Sequence, residues 1–389
     1  MTYMQQEKTH AMAWKASTST LPAGARSPAP YVGKDGMAAG TPHGFCVPPG
    51  FAAYSLLPEV RQPALELFAE LGIPWHAGIN DGPSNHLLSS QVQCVNALGQ
   101  MVADPARLVL AFGELLGIDE VLQIEPGRYL TFEFIGPIDY FGEAAGGPRI
   151  RGAHCTSLDA AFLHRALDGA VELVLVEWKY TESYRLRKPD RAKDVLRAGR
   201  YSKALAATDG PVRADVLPFE FLLDEPIYQL VRQQLLAHAL EQDGAEGATR
   251  VRLVHVSPSG NAAYQHSLHR PEHLALGQTV TDVWDRLLRR QDRFLTLDSK
   301  IFLKDAITSR EYVFRYSDQV VHNAEELFAA MDIPADLQEL EGALDFVGSV
   351  VLYEDQVDLV IGCVGTGLAY PFEISELHTL ADDLQAGDG

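Results

Sequence analysis

The sequence predicts a mixed α/β protein in which helices flank a central sheet, and three observations carry this prediction. Residues 173–176 (LVLV) form an apolar run, which is typical of a strand buried on both faces. A second run at 156–166 can pair with it across the Asp168-Gly169 turn signal. Amphipathic helical patterns, bounded by Asp-Pro and Gly signals, precede and follow this pair.

The first third of the chain is predicted to contribute an arm, three helices and two strands. Residues 1–49 are rich in Ala, Gly, Pro, Ser and Thr, and we expect them to form a loosely ordered arm. Helices are predicted at 63–71, from 80–84 to 102, and from Asp104-Pro105 to Gly117, and strands at 121–124 and 129–135. A Pro126-Gly127 turn joins the two strands.

Beyond residue 215 the pattern continues to alternate. A strand-like run at 216–223 precedes an amphipathic helix at 224–240 and a strand at 251–256, and residues 271–315 are mostly helical. The remainder contains helical stretches near 324–331 and 337–344 and strands at 348–353 and 357–361. We therefore divide the chain into the arm at 1–49, a central domain at 50–317 and an acidic α/β subdomain at 318–389.

The helix that ends near residue 102 carries an uncharged polar stripe. Ser89, Gln93, Asn96 and Gln100 follow one another at helical spacing, beside apolar stripes. A solvated helix face usually carries charges, so this stripe has two open interpretations. It lies either against the active end of the sheet or a nucleic-acid backbone, or in a buried, hydrogen-bonded interface.

Charged residues follow the apolar strand directly. Glu177 and Lys179 are two positions apart, so their side chains project from one face of the strand and Trp178 from the other. A two-residue loop at Asp168-Gly169 would set Asp159 opposite Trp178, whereas a three-residue loop at 167–169 would set it opposite Glu177. The second register places two carboxylates beside a lysine, which suits a divalent cation.

These residues carry a resemblance to a known superfamily. Asp159 followed by Glu177-x-Lys179 resembles the signature of the PD-(D/E)xK nucleases, the restriction-endonuclease-like phosphodiesterases. Strings at 134–143 (FIGPIDYFGE), 151–161 (RGAHCTSLDAA) and 176–184 (VEWKYTESY) also resemble a bacterial family of restriction endonucleases in that superfamily. The similarity runs from about residue 51 to about residue 315. Leu158 stands where the superfamily's name has proline.

The resemblance implies a restriction-endonuclease-like αβββαβ core, with N-terminal helical and C-terminal acidic additions. It implies a nuclease dependent on Mg²⁺ or Mn²⁺, acting on DNA as an endonuclease of restriction or defence type, with RNA as the open alternative. Asp159 and Glu177 would bind the metal, with the main-chain carbonyl of Trp178 as a further ligand. Lys179 would orient the attacking water or stabilise the developing oxyanion.

Several other residues are supporting candidates. Glu182 lies three positions past Lys179 and is either a further carboxylate of the site or a partner for Arg185. On the helix at 224–240, Gln233 leads a polar group that resembles the positions with which such nucleases support the lysine or the water. That group is Tyr228, Arg232, Gln233 and Gln234. Acids near the preceding strand, ranked second, are Glu133, Asp139 and Glu143.

The most basic part of the chain follows the Glu177-x-Lys179 strand. Asp190 is predicted to cap a helix on which Lys193, Arg197 and Arg200 share one face. The nucleic-acid-binding candidates are Arg185, Arg187, Lys188, Lys193, Arg197 and Arg200. Such a stripe suits a phosphate backbone, and a solvated helix face is the plain alternative.

Composition bounds the remaining possibilities. The net charge of −20 comes mainly from the C-terminal region, since sixteen Asp and Glu and no Lys or Arg follow Arg315. No apolar run is long enough to span a membrane, and the N-terminus shows no signal-peptide pattern. The four cysteines form no C-x-x-C motif, which favours reduced thiols and a cytoplasmic protein.

The same residues also bear on rival functions. A catalytically silent nucleic-acid-binding or regulatory protein on the same fold is the main alternative, and the intact Asp159, Glu177 and Lys179 count against it. His154 and Cys155 point to opposite faces of a strand and cannot form a catalytic dyad. A homodimer is an open alternative, because many nucleases of this superfamily dimerise to cut both strands.

Overall fold

The computed structural model describes residues 2–153, 155–186, 188, 190–317, 319–320, 346–352, 357–363 and 369–372. The α-helices are α1 (Tyr3–Ser17), α2 (Pro58–Leu71), α3 (Ser90–Leu98), α4 (Pro105–Leu116), α5 (Arg191–Leu205), α6 (Ile227–Asp243), α7 (Ala262–Gln265), α8 (Pro271–Leu274), α9 (Val280–Leu287) and α10 (Arg310–Tyr316). The strands are β1 (Ala29–Val32), β2 (Ala38–His43), β3 (Ile118–Leu122), β4 (Leu130–Phe134), β5 (Leu158–Ala166), β6 (Val171–Trp178), β7 (Arg250–Ser257), β8 (Phe294–Asp298), β9 (Gln319–Val320), β10 (Phe346–Leu352), β11 (Val357–Cys363) and β12 (Ala369–Phe372).

The central sheet has the strand order β3-β5-β6-β7-β8, and β4 also pairs with β5. β3, β4 and β6 run antiparallel to β5, whereas β7 is parallel to β6 and β8 is parallel to β7. Because α5 and α6 lie between β6 and β7 in the chain, a helical crossover joins the first parallel pair. The predicted mixed α/β fold, with a mixed sheet flanked by helices, is confirmed.

β5 and β6 form the predicted hairpin. They pair in the register of the three-residue loop at 167–169. Gly169 ends this loop with a φ of +84°, a conformation that glycine adopts without steric penalty. Continued to the open end of the hairpin, this register sets Asp159 opposite Glu177.

β3 and β4 form successive parts of one sheet edge. Both strands were predicted, and both pair with β5, β3 with its second half and β4 with its first half. Between β3 and β4, residues 123–129 leave the sheet and turn at Gly127, whose φ is +75°. This interruption brings the last residues of β4 beside the start of β5, next to Asp159.

The sheet separates two apolar layers, and β6 contributes to both. Val174, Val176 and Trp178 pack in one layer, while Leu173 and Leu175 pack in the other. Residues of α1 to α4 belong to the first layer, and residues of α5, α6 and α9 belong to the second. Burial of both faces explains why the sequence of β6 is almost continuously apolar.

The N-terminal segment is folded, in contrast to the loosely ordered arm expected at 1–49. α1 packs into the first apolar layer through Trp14, which is 1% exposed. The Trp14 Nε1 donates to Glu311 Oε1 at 2.7 Å, and the Thr18 hydroxyl donates to the same oxygen at 2.6 Å. Small residues dominate the composition of this segment, but one buried tryptophan and these polar contacts anchor it to the chain near α10.

A buried lysine fixes the segment that follows β2. Lys15 is 3% exposed, and its Nζ donates to the carbonyl oxygens of Ser27, Gly44 and Cys46 at 2.8, 3.1 and 2.5 Å. Burial lowers the pKa of Lys15, and nearby Cys46 partly offsets this effect. One ammonium group thus satisfies carbonyls from two separate turns of the chain.

We expect Lys15→Met to destabilise the fold by about 2–4 kcal/mol, because three carbonyl oxygens lose a charged donor in a closed environment. The measurement is urea unfolding at equilibrium. Lys34→Met, a change of the same chemistry at an exposed position, is the control and should change the free energy of unfolding by less than about 0.5 kcal/mol. Equal stability of the two variants would contradict the role assigned to Lys15.

Two predicted elements need correction. Residues 216–223 do not form a strand, because Pro218 has no N–H for a sheet ladder and starts a short 3₁₀ helix at Phe219–Leu223. The mostly helical pattern expected at 271–315 includes β8, which joins the sheet beside β7. β8 is short and directly follows a polar, charged stretch, so its sequence gives little strand signal.

The polar stripe on α3 is a buried, hydrogen-bonded interface. Gln93 Oε1 accepts from the Trp178 indole N–H at 2.9 Å. Asn96 Oδ1 accepts from Leu57 N–H at 2.9 Å, and its Nδ2 donates to Tyr316 at 3.0 Å. α3 itself begins later than predicted, with Ser89 as its N-cap. Of the two open interpretations, the buried one therefore holds for Gln93 and Asn96.

Beyond residue 317 the structure describes an antiparallel sheet with the order β12-β11-β10-β9. β10 and β11 correspond to the strands predicted at 348–353 and 357–361. The helices predicted near 324–331 and 337–344 lie outside the described residues. Among the helices that are described, none has the length and apolar character needed to cross a membrane.

Candidate active site

The open end of the β5–β6 hairpin borders a pocket of about 680 Å³. Asp159 from β5, Glu177 from β6 and Lys179 just beyond β6 all line it. Glu177 and Lys179 project from the same face of the chain because side chains alternate along a strand. The structure therefore brings the three predicted catalytic residues into one pocket.

Asp159 is half-buried, in an environment that disfavours its charge. Its Oδ2 accepts a hydrogen bond from the main-chain N–H of Trp178 at 2.6 Å. Burial raises the pKa of Asp159 well above its usual range, and the charges of Glu177 and Glu133 raise it further. The positive charge of Lys179 lowers the pKa of Asp159, but it does not cancel these effects. A cation near Asp159 would stabilise its ionised form.

Lys179 is a buried cation with specific partners. Its Nζ donates to Glu177 Oε1 and, at 2.9 Å, to Gln229 Oε1, and the residue is 4% exposed. Burial on its own lowers the pKa of Lys179, but Glu177 and more distant acidic groups outweigh it, so the pKa lies well above its usual value. Lys179 is therefore protonated at neutral pH and acts as a charged donor.

Two glutamines of α6 complete the surroundings of Glu177. Gln229 Nε2 donates to Glu177 Oε1 at 2.7 Å, and Gln233 Nε2 donates to Glu177 Oε2. The two glutamines are four residues apart, so they share one face of the helix. Gln233 was predicted from the sequence as a supporting residue, whereas Gln229 was not. The four-residue spacing was a usable signal, but it gains meaning only once this face is known to point at β6.

The other polar residues singled out on α6 lie elsewhere. The Tyr228 ring packs beneath the guanidinium of Arg197, and Arg232 donates to the Thr156 hydroxyl at 3.3 Å. Gln234 is buried among neighbouring groups rather than in the pocket. The glutamine pair is thus the part of α6 that contacts the carboxylate of Glu177.

Glu133 adds a third carboxylate to the pocket. It has a φ of +48°, which is uncommon for a residue other than glycine, and this conformation aims it beside Asp159. Its oxygens accept from Gln91 Nε2 at 3.0 Å and from the Ser157 hydroxyl at 2.9 Å. Burial raises the pKa of Glu133, and the charge of Glu177 adds to this.

The remaining acids of the second rank have structural partners outside the pocket. Asp139 accepts from the main-chain N–H groups of Glu143 and Ala144 at 2.9 and 3.0 Å. Glu143 accepts from the Thr156 hydroxyl at 2.6 Å and from the Tyr201 hydroxyl. Of the three acids ranked second, Glu133 is the one that lines the pocket.

Glu182 lies at the rim of the same pocket. Its Oε2 accepts from the Tyr180 N–H at 2.6 Å, and its Oε1 accepts from the Ser90 hydroxyl at the start of α3. It therefore links the end of β6 to α3 and adds negative charge near Lys179.

A metal ion in this pocket would need oxygen ligands of more than one kind. Among the residues that the structure describes, no group of three or more His, Cys, Asp or Glu side chains is arranged to hold a metal ion. Asp159 and Glu177 would supply two carboxylates, and the carbonyl of Trp178 and water would have to supply the rest. Such an all-oxygen set, with repulsion between its two carboxylates, fits Mg²⁺ or Mn²⁺ better than Zn²⁺.

α5 carries most of the basic stretch and begins after Asp190, as predicted. Lys193 is exposed to solvent. Arg197 and Arg200 are half-buried: Arg197 lies 4.2 Å from the centre of the Tyr228 ring, and Arg200 donates to the carbonyl of Glu143 at 3.1 Å. Arg185 and Lys188 are exposed ahead of α5, and Arg187 lies outside the described residues.

Comparison with known proteins identifies one matching family. A family model described as Restriction Endonuclease associating with ARP matches residues 8–322. The comparisons with curated proteins and with solved structures returned no significant match. The matched segment includes the whole central sheet and every residue that lines the pocket except Met4, and it confirms the resemblance to restriction endonucleases. Because the match covers most of the chain, the protein belongs to the restriction endonuclease family described as Restriction Endonuclease associating with ARP.

Proposed function

We propose that the protein is a metal-dependent DNA endonuclease of restriction or defence type. The observation that carries this proposal is the convergence of Asp159, Glu177 and a protonated Lys179 in one pocket of a restriction endonuclease family member. The order of the antiparallel hairpin, the helical crossover and β7 supports a PD-(D/E)xK core of αβββαβ type.

Hydrolysis of a phosphodiester adds negative charge to the oxygens of the phosphate in the transition state, and it needs a nucleophile derived from water. Asp159, Glu177 and the carbonyl of Trp178 are the groups that would hold Mg²⁺ or Mn²⁺. A bound Mg²⁺ would lower the pKa of coordinated water and neutralise part of the phosphate charge.

The residues around the carboxylates have separable roles in this proposal. Lys179 donates hydrogen bonds to a phosphate oxygen as its charge grows. Gln229 and Gln233 fix the orientation of the Glu177 carboxylate, since each donates to one of its two oxygens. Glu182 is a positioning residue that holds the end of β6 through the Tyr180 N–H.

We further propose that the basic stretch contacts the DNA backbone. Arg185, Lys188 and Lys193 are exposed and can reach phosphates directly, and Arg187 is a candidate by sequence. Arg197 and Arg200 are half-buried and would contribute mainly through their charge. Phosphate contacts of this kind predict an affinity that falls steeply as salt concentration rises.

The test is cleavage of supercoiled plasmid, linear duplex, single-stranded DNA and RNA by the full-length protein in Mg²⁺, Mn²⁺ or EDTA. We expect nicking or cutting of DNA with either metal, none in EDTA, and recovery when excess Mg²⁺ is restored. Gel filtration of the same sample reports whether the active species is a homodimer.

Binding without cleavage of any of these substrates, unchanged by the metals, would overturn the endonuclease proposal. It would favour the main alternative, a catalytically silent nucleic-acid-binding protein on the same fold. Cleavage that persists in EDTA would instead contradict the assigned roles of Asp159 and Glu177.

A further inference from the structure

Part of the pocket that contains the carboxylates is lined by aromatic rings. Tyr31, His43, Phe45 and His86 line the same pocket as Asp159 and Glu177, and Lys8 of α1 joins them. These residues come from α1, from the β1–β2 hairpin and its exit, and from the loop before α3. We call the four rings the aromatic wall. None of them was singled out by the sequence.

The rings of the aromatic wall form a continuous array. The His43 and Phe45 rings are stacked, with centroids 4.9 Å apart and planes 11° apart. The Phe45 and His86 rings pack edge to face with centroids 5.2 Å apart, and the His86 and Tyr31 rings do so with centroids 5.4 Å apart. Lys8 Nζ lies 4.9 Å from the centre of the Phe45 ring. Among the described aromatic pairs His43 stacks on Phe45 alone, so it is the end of the stack.

His86 presents a defined donor to the pocket. Its Nδ1 accepts a hydrogen bond from the Leu88 N–H at 3.2 Å, which places the ring proton on Nε2 in the neutral form. Burial lowers the pKa of His86 to about 4, and the charges of Lys8 and His43 add to this, so the neutral form holds at pH 7. The pocket thus combines π-faces with a neutral N–H donor.

The aromatic wall is held rigidly by buried polar contacts. Asn85, which is fully buried, accepts from Val32 N–H and donates to the carbonyls of Pro30 and Val47, all between 2.9 and 3.2 Å. Cys46 and His86 also pair through an isolated β-bridge. With the contacts of Lys15 to Gly44 and Cys46, the main chain on both sides of Phe45 is fixed in place, so the rings are preorganised.

We propose that the aromatic wall binds an unstacked nucleobase beside the phosphodiester that Asp159 and Glu177 address. The base would stack on His43 and receive a hydrogen bond from His86, and the adjoining phosphate would reach the carboxylate side. This inference rests on the proposed nuclease function and narrows its substrate to nucleic acid with an exposed base.

The geometry favours an unstacked base for a simple reason. In a continuous duplex both faces of every base are covered by its neighbours, so rings inside a pocket have no base face to contact. A nucleotide that has left the stack offers a free face, and aromatic side chains are the usual platforms for it. A volume of about 680 Å³ falls within the range of about 300–1,000 Å³ typical of pockets that enclose a small molecule.

The experiment measures DNA affinity in an Asp159→Asn background, which prevents cleavage during binding. The probes are a single strand, a duplex with one unpaired nucleotide and a fully paired duplex of matched length, with abasic versions of the first two. We expect His43→Ala to weaken binding of the base-bearing probes about 5- to 100-fold and to remove most of their advantage over the abasic versions. His43→Phe should restore that advantage, because it restores a π-face.

Phe45→Leu is the second variant, since it keeps the apolar contact of Phe45 and removes its ring. His266→Ala is the matched control, because His266 is an exposed imidazole outside this pocket. Tighter binding of the single strand would identify single-stranded DNA as the source of the base, and tighter binding of the duplex with an unpaired nucleotide would identify an extruded base.

The proposal is overturned if the fully paired duplex binds as tightly as the other probes, or if His43→Ala weakens base-bearing and abasic probes equally. These results are distinct from failure of the proposed function. Metal-dependent cleavage with no effect of His43 would refute the aromatic wall alone. Base-dependent binding without any cleavage by the protein with Asp159 intact would refute the nuclease function alone.

Discussion

Asp159→Asn is expected to reduce metal-dependent cleavage at least about 10³-fold while making the metal-free protein more stable. The loss of activity follows from removal of a carboxylate that would hold the metal. The gain in stability follows from the partial burial of Asp159 beside the buried Glu177 and Glu133, an arrangement that costs free energy when no cation is bound. Asparagine keeps an oxygen that accepts the Trp178 N–H, so the main-chain contact is preserved. We expect a gain of about 1–3 kcal/mol.

The pH dependence gives this prediction a second readout. Folding raises the pKa of the Asp159 carboxyl group. The contribution of this group to the free energy of unfolding is therefore fully present below its usual pKa, and it is lost as pH rises through the folded-state pKa. The variant lacks this titration. Its stability advantage over the wild type should therefore be small near pH 4 and should grow as pH increases.

The measurements are cleavage rates in Mg²⁺ and thermal unfolding in EDTA across this pH range. Asp119→Asn, at an exposed position on β3, is the control and should leave both quantities unchanged. Addition of Mg²⁺ should raise the melting temperature of the wild type more than that of Asp159→Asn. An Asp159→Asn protein that is inactive and also less stable than the wild type would contradict the electrostatic account.

Lys179→Met is expected to lower kcat about 10²- to 10³-fold with a much smaller change in KM. The reason is the loss of a charged hydrogen-bond donor to phosphate oxygens. Removal of one such transition-state donor lowers the kcat of other enzymes by about the same factor. The fold should survive the change, because Glu177 keeps the amide donors of Gln229 and Gln233. Gln229 Oε1 also keeps a donor in the Tyr184 hydroxyl at 3.2 Å.

The control for Lys179 is Lys203→Met, at an exposed position on α5. Lys179→Arg should not restore activity, since a planar guanidinium does not fit the place of a compact ammonium enclosed by Glu177 and Gln229. The raised pKa of Lys179 also predicts that the wild-type rate shows no ionisation of this lysine in the neutral pH range. A rate that rises with deprotonation of Lys179 near pH 7 would assign it the role of general base and contradict this account.

Local patterns predicted the centre of this fold better than its periphery. The apolar run of β6, the hairpin signal at 168–169 and the alternation at Glu177 and Lys179 all act within about thirty residues, where strand geometry limits the alternatives. The choice of register needed the structure, because both loop lengths satisfy the same turn signal. The resemblance to restriction endonucleases then pointed to the same three side chains that the pocket contains.

The parts that could not be predicted depend on contacts between distant segments. Gln229 gains its meaning from the packing of α6 against β6, and no local spacing specifies that packing. Trp14 and Glu311 are 297 positions apart, so composition alone made the N-terminal segment look loosely ordered. The unusual φ of Glu133 likewise falls at the point of β4 where the pairing with β5 skips a residue, which the sequence around Glu133 does not signal.

The attachment of α1 near α10 has a consequence for biosynthesis. The ribosome makes α1 before the sheet, but Glu311, which accepts from Trp14, Thr18 and Thr20, emerges only after the entire central sheet has been translated. At about 5–20 residues per second, that delay lasts at least about fifteen seconds. During this time Trp14, Thr18 and Thr20 lack the acceptor that fixes the end of α1, although Asn85 and Lys15 can already hold the aromatic wall. α1, and with it Lys8 at the pocket, therefore reaches its final position only after every strand of the central sheet has been translated.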